Sequence, residues 1–148
     1  MKIVFFTFYY PPDLSAGSFR AVALVQALSK KFGSNDELHV ITTHPNRYDS
    51  YKVSANNIEL DGKVTIHRIA LPNHQSGMLS QSRAFFTYAI SAYRLCRKLN
   101  PSFLIGTTGR LMTGVLTGFS AYKIGIRYFI DLRDIFSEAI SDLFSQKN

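Results

Sequence analysis

An apolar run from Ile3 to Phe8, broken only by Thr7, passes into Tyr9-Tyr10-Pro11-Pro12-Asp13-Leu14-Ser15-Ala16-Gly17 and then into an amphipathic stretch from Ser18 to Phe32. A short, continuous apolar run reads as a buried strand. In the stretch after it, Ala21, Leu24, Val25, Leu28 and Phe32 share one stripe, while Gln26, Ser29 and Lys30 point away, as on a helix with one buried face. A buried strand that feeds a helix through a loop opens an α/β sheet, and such sheets bind ligands beyond the C-terminal ends of their strands. The loop has one glycine and two prolines. It has neither the glycine spacing of a dinucleotide fingerprint nor that of a P-loop, so a glycine-rich phosphate cradle is excluded here.

The alternation continues. Gly33 is read as the stop of the first helix, and Leu38 to Thr43 as a second strand. Residues 44 to 57 are polar and rich in turn formers, which marks a long loop. Val64 to Leu71 alternates as a third strand ended by Pro72. A second helix is predicted over Ser82–Leu99, with Asn100-Pro101 as its terminator. Phe103–Gly106 is a fourth strand, Leu111–Ile124 a third helix closed by Gly125, Tyr128–Leu132 a fifth strand and Ile135–Phe144 a last short helix. Gly114 and Gly118 lie one turn apart, which suits a helix pressed against a sheet. Strands alternating with helices imply an α/β fold, a Rossmann-like parallel sheet with helices on both faces. The 148 residues suffice for one domain, 1–148. The single cysteine, Cys96, rules out an internal disulfide and is read as a small core residue. The start has no signal-peptide pattern and no stretch approaches a membrane span, so a cytoplasmic location is expected.

The net charge is +7, and its distribution carries more than its size. No acidic residue occurs between Asp61 and Asp131, a stretch holding Lys63, Arg68, Arg83, Arg94, Arg97, Lys98, Arg110, Lys123 and Arg127. One face or edge is expected to be strongly positive. Nucleic acid, anionic lipid and phosphorylated small molecules are the candidate partners, against a merely solubilising surface.

Three places could carry chemistry. At the first loop, Gly17 permits close approach of a ligand to the backbone, and the following helix end suits an anion. Arg20 in the first turn could add a charge-assisted bond. The plainer reading is a tight turn with Arg20 in solvent. The second place is Asp131-Leu132-Arg133-Asp134, at the end of a strand, either a ligand crevice or a structural ion pair. The third is the second helix. There Arg83, Arg94, Arg97 and Lys98 share a sector, with Phe86 and Ile90 beside it and Ala84, Tyr88, Ala92, Leu95 and Leu99 opposite. A basic face flanked by apolar residues suits an anionic membrane, or is a solvated surface. Histidines 39, 44, 67 and 74 show no metal-ligand spacing, and no GxSxG elbow is present.

These residues together resemble the N-terminal half of a GT-B glycosyltransferase of the large retaining family 4. The likeness is closest to bacterial transferases that build O-antigen and capsule from amino sugars of the fucosamine type. The family's Tyr-Tyr-Pro-Pro-Glu loop with its small-residue turn corresponds to Tyr9, Tyr10, Pro11, Pro12, Asp13, Ala16 and Gly17. Its Arg-Asp-Leu-Trp-Pro-Glu run corresponds to Arg133, Asp134, Ile135, Phe136, Ser137 and Glu138, with Phe136 and Ser137 replacing tryptophan and proline. The resemblance implies an acceptor-binding domain whose donor-binding C-terminal partner domain is absent from this chain, which alone would not complete catalysis.

It further implies metal-independent transfer from a nucleotide-sugar, with no other cofactor, to a polyprenyl-diphosphate-linked glycan at the inner membrane face. Arg133 and Asp134 would stand near the reacting groups. Tyr10, Ala16, Gly17, Ser18, Arg20 and Glu138 would contact substrate, while Arg83, Phe86, Ile90, Arg94, Arg97 and Lys98 would face membrane and acceptor. Arginine is a poor proton acceptor, so Arg133 is not a general base. The competing reading is a non-catalytic membrane- or protein-binding module. Nucleic-acid binding lacks any supporting motif.

Overall fold

The computed structural model describes residues 1–45, 55–72 and 77–133. In chain order these form β1 (Lys2–Phe6), α1 (Ala16–Ser29), β2 (Glu37–Thr43), β3 (Ile58–Asp61), β4 (Val64–Ile69), α2 (Met78–Leu99), β5 (Phe103–Thr107), α3 (Leu111–Ile124) and β6 (Arg127–Asp131). The strands make one sheet in the order β3-β4-β2-β1-β5-β6. All neighbours are parallel except β3, which runs antiparallel to β4. The fold is therefore α/β and Rossmann-like.

Right-handed crossovers decide which face each helix covers. The connection from β1 to β2 runs one way along the sheet, and those from β4 to β5 and β5 to β6 run the other. Accordingly α1 packs Ala21 and Val25 on Ile3, Phe5, Leu38, Val40 and Ile105. On the opposite face α2 and α3 pack Phe85, Tyr88, Ala92, Cys96, Leu116 and Ala121 on Val4, Phe6, Ile41 and Leu104. Cys96 is fully buried, and burial pushes its thiol up to about 12.

Several sequence boundaries shift. Ser15 caps α1, its Oγ accepting from Ser18 N at 3.1 Å, so Gly17 and Ser18 lie inside the first turn rather than before it. The helix ends at Ser29, and Gly33 is not its cap; the Gly33 amide donates to Asp36 Oδ2 at 2.8 Å. The second helix starts at Met78, four residues before the expected Ser82. Its end is as expected, with Asn100 left-handed at φ 49°, and Gly125 closes α3 at φ 77°. The strand β3 was not expected from the sequence; its four residues are exposed or half-buried, and its tight turn into β4 is made possible by Gly62 at φ 59° after Asp61. Arg68 does not join the expected positive surface. It is buried, donating from Nη2 to Pro11 O at 2.7 Å and to Glu59 Oε2 at 2.9 Å. That bond holds the Glu59 carboxyl below its ordinary range. The expected helix Ile135–Phe144 lies outside the described residues.

Side-chain hydroxyls secure the point where β1 leaves the sheet. Tyr88 Oη, fully buried, lies 3.1 Å from Thr7 O and 2.9 Å from Ile41 O. Thr42 and Thr43 both donate to Phe8 O, at 3.2 and 2.8 Å, and Thr7 donates to Tyr9 O at 2.9 Å. On the far side of β1, α3 sits so close to β5 that a Cβ on Gly106 would lie 1.9 Å from Thr117 Oγ1 and 2.9 Å from Thr117 Cβ.

Two stability effects are expected in urea denaturation. Tyr88→Phe removes the only proton offered to two buried carbonyls by that side chain and costs about 1–3 kcal/mol. Gly106→Ala forces α3 off the sheet and costs about 1–3 kcal/mol as an overpacked contact. Unchanged midpoints would contradict both contacts.

Candidate functional site

β1, β5 and β6 end side by side, and Thr108 ties two of their exits together. Thr108 N donates to Asp131 O at 3.1 Å, Thr108 Oγ1 lies 3.2 Å from the same carbonyl, and Arg133 N donates to Thr108 Oγ1 at 2.9 Å. Thr108 is buried, so this joint is shielded from water. Held there, the Arg133 side chain crosses to α1. A Cβ on Gly17 would lie 2.7 Å from Arg133 Nη1, and one on Gly109 would lie 3.2 Å from it. The guanidinium thus occupies space left by two glycines, one in the first turn of α1 and one after β5. Gly17 and Arg133, from the two motifs singled out in the sequence, are neighbours.

The other expected residues separate. Ala16 is exposed at the start of α1. Ser18 is fully buried, its Oγ without a hydrogen-bond partner, and so faces the core rather than a substrate. Tyr10 is 5% exposed within the core under α1, where burial pushes its hydroxyl up to about 12. Arg20 is not a free phosphate ligand. It grips Asp131 with two bonds, Nε to Oδ2 at 2.8 Å and Nη2 to Oδ1 at 2.6 Å. The ion pair considered for the Asp131–Asp134 run thus forms with an arginine from α1. It holds the Asp131 carboxyl below its ordinary value. Asp134 and Glu138 lie outside the described residues.

A second feature, which sequence reasoning missed, centres on Arg110 at the start of α3. Its guanidinium stacks 4.1 Å from the centroid of Phe8, and Nε and Nη2 both donate to the Tyr9 hydroxyl, at 3.3 and 2.9 Å. Arg110, Tyr9, Gly109, Gln81 and Ser82 line an opening of about 670 Å³ between the start of α2 and the start of α3. Phe85, Phe86 and Met112 line this opening and also a second, apolar groove of about 330 Å³ that runs on between the two helices, past Ile90, Val115 and Phe119. Phe86 and Ile90 are 62% and 51% exposed, and Val115 and Phe119 are 55% and 51% exposed.

The expected basic sector frames one rim. Arg83, Arg94, Arg97 and Lys98 are all exposed on α2. Arg97 approaches the Tyr93 ring at 5.9 Å, and Lys123 on α3 approaches the Phe119 ring at 5.8 Å. Among the described residues, none of these cations nor Arg110 is in an ion pair. The sequence did hold a signal for the groove. Met112, Val115 and Phe119 form an apolar stripe on α3 separate from the face of Gly114, Thr117 and Ala121 that meets the sheet. A helix apolar on two faces has a surface left to cover.

No protein-family model matches the chain, and no curated protein is significantly similar to it. Among the described residues, no group of three or more His, Cys, Asp or Glu side chains is placed to hold a metal ion. No described helix is long and apolar enough to cross a membrane.

The Arg20–Asp131 pair yields a pH prediction. A carboxyl with a depressed native pKa adds stability that is present above its ordinary value of 3.8 and is lost as pH falls through the native value. In Arg20→Gln the Asp131 carboxyl is expected to titrate closer to 3.8, and this part of the acid destabilisation should shrink. Carboxyl-detected NMR titration of both proteins checks it, and identical Asp131 curves would rule out the pair in solution.

Proposed function

We propose that this chain is the acceptor-binding half of a retaining, metal-independent GT-B glycosyltransferase of family 4. In this reading it moves a sugar from a nucleotide-sugar to a polyprenyl-diphosphate-linked glycan during bacterial surface polysaccharide synthesis, at the inner face of the membrane. The observation that carries it is the meeting of Gly17 and Arg133 across the strand ends. Residues 116 positions apart, one from each quoted motif, form one wall whose guanidinium lies over the first turn of α1.

A guanidinium cannot take a proton near neutral pH, so Arg133 acts by charge and direction. It can hold an anionic or hydroxyl-rich group over the α1 end, where the helix dipole also favours negative charge. Gly17 keeps that approach open, because any side chain there meets Arg133 first. Asp134 follows directly and is assigned to orienting the acceptor hydroxyl. Attack on the same face of the sugar as the leaving group, assisted by the leaving phosphate, then gives retention without a protein base. The exposed cations of α2 support the membrane location, and equally a second reading as a non-catalytic module docked on anionic lipid.

Reconstitution tests the reading. The reading frame downstream of this chain is expected to encode a second α/β domain with closely spaced glutamates. Combined with that domain, the chain should transfer labelled sugar from a nucleotide-sugar to extracted lipid-linked glycan. Arg133→Gln should slow transfer by at least about tenfold, as for loss of one transition-state donor. Alone, the chain should bind a UDP-sugar weakly in calorimetry. Tight binding by the chain alone, or transfer indifferent to Arg133, would overturn the assignment.

A further inference from the structure

We propose that the α2–α3 groove and the Arg110 opening are one site for a single-chain lipid phosphate. The phosphate lies against Arg110 and the chain lies between Phe86 and Ile90 of α2 and Val115 and Phe119 of α3. This deepens the acceptor reading and rests on it for the isoprenoid nature of the chain. Shape and charge define the site itself.

The two openings adjoin, with Phe85, Phe86 and Met112 lining both. They differ in their polar groups. The groove is lined by apolar and aromatic side chains alone. The opening at its head adds Arg110, the Tyr9 hydroxyl, Gln81 and Ser82 to an apolar wall of Met78, Phe85, Phe86, Leu111 and Met112. A cationic, hydrogen-bonding head beside an apolar groove fits an amphiphile better than a free sugar or a free phosphate.

The sign of the head's charge is also settled. Arg110 is held in place by its stack on Phe8 and its two bonds to Tyr9, so it is oriented before any ligand arrives. It stands at the N-cap of α3, where the helix dipole is positive as well. Two positive ends side by side repel each other, and an anion between them relieves the repulsion. The rims add Arg83, Arg94, Arg97 and Lys123, with no ion-paired acid among the described residues. A neutral peptide helix would satisfy the groove alone, and an acidic amphipathic helix would have to be far shorter than usual to fit a groove of this length. A lipid phosphate satisfies both at once.

The length of the site limits its occupant. From Phe86 to Tyr93 on α2, the groove runs about 10 Å along the helix axis. It therefore takes the part of a chain nearest the phosphate and leaves a longer tail to the membrane. Phe86 and Ile90 lie on the sector that also carries Arg83, Arg94 and Arg97, so the tail would leave towards the basic face.

Farnesyl phosphate below its micelle concentration is the probe, with farnesol and inorganic phosphate as comparators. Calorimetry on the full chain should show saturable binding of farnesyl phosphate, with NMR methyl shifts at Met112 and Val115. Val115→Glu and, independently, Ile90→Glu replace half-exposed side chains. Each should weaken binding by at least about tenfold, a factor readily resolved by titration. Arg110→Gln should bring farnesyl phosphate down to the affinity of farnesol.

Inorganic phosphate bound as tightly as farnesyl phosphate would overturn the proposal. So would binding that survives both glutamate variants, or association seen with vesicles but never with monomeric lipid. A groove closed by self-association, shown by a dimer that Val115→Glu dissociates without altering lipid binding, would do the same. Lipid binding and sugar transfer are separate readouts. Binding without transfer would keep the groove and remove the glycosyltransferase reading, and transfer without binding would do the reverse.

Discussion

The hydroxyl of Tyr88 is the contact on which the rest of the molecule depends. It reaches from α2 through the core to the carbonyls of Thr7 and Ile41, where β1 ends beside β2. A buried carbonyl without a donor is costly, so a chain that leaves a sheet in the interior must find donors elsewhere. Here they come from Tyr88, Thr42 and Thr43. The loop of Tyr9 to Ser15 therefore starts in a fixed direction. Everything built at the strand ends inherits that direction: the stack of Arg110 on Phe8, its bond to Tyr9, and the placement of the α1 end under Arg133.

A second constraint works from the other side. Gly106 lets Thr117 of α3 approach β5, and Gly114 lets the same helix pass Thr108 and Ile130. Close packing of α3 brings its outer stripe into line with that of α2, and the groove between them follows. Meanwhile Thr108 binds the exits of β5 and β6 into one unit. The Gly17–Arg133 wall and the Arg110 head thus stand near the same sheet edge, held by different bonds.

Much of the fold was legible in the sequence because burial imposes a period. Val4, Phe5, Phe6, Leu38, Val40, Ile41 and Leu104 are core residues wherever the strands pair. Asn100 and Gly125 end their helices for local steric reasons that need no partner. The strand β3 was not legible. Its four residues are mostly exposed, and only pairing to β4 makes it a strand. Arg68 was misjudged for a related reason. Its charge suggested surface, but Glu59 on that unrecognised strand and the Pro11 carbonyl draw it inward.

The site divides along the same line. Sequence alone pointed to the loops after β1 and β6 as candidate ligand contacts, because apolar strands alternating with helices leave their connecting loops at the strand ends. It also determined that α2 has a basic, partly apolar face, because helical periodicity sorts side chains without reference to anything else. Only the tertiary structure decided who meets whom. Arg20 pairs with Asp131 across 111 residues, Arg133 reaches Gly17, and Tyr10 and Ser18 turn to the core. Arg110 gains its place from Phe8 and Tyr9, 101 residues from the latter. Such partnerships depend on strand order and helix approach, and neither is written in the local pattern of any one segment.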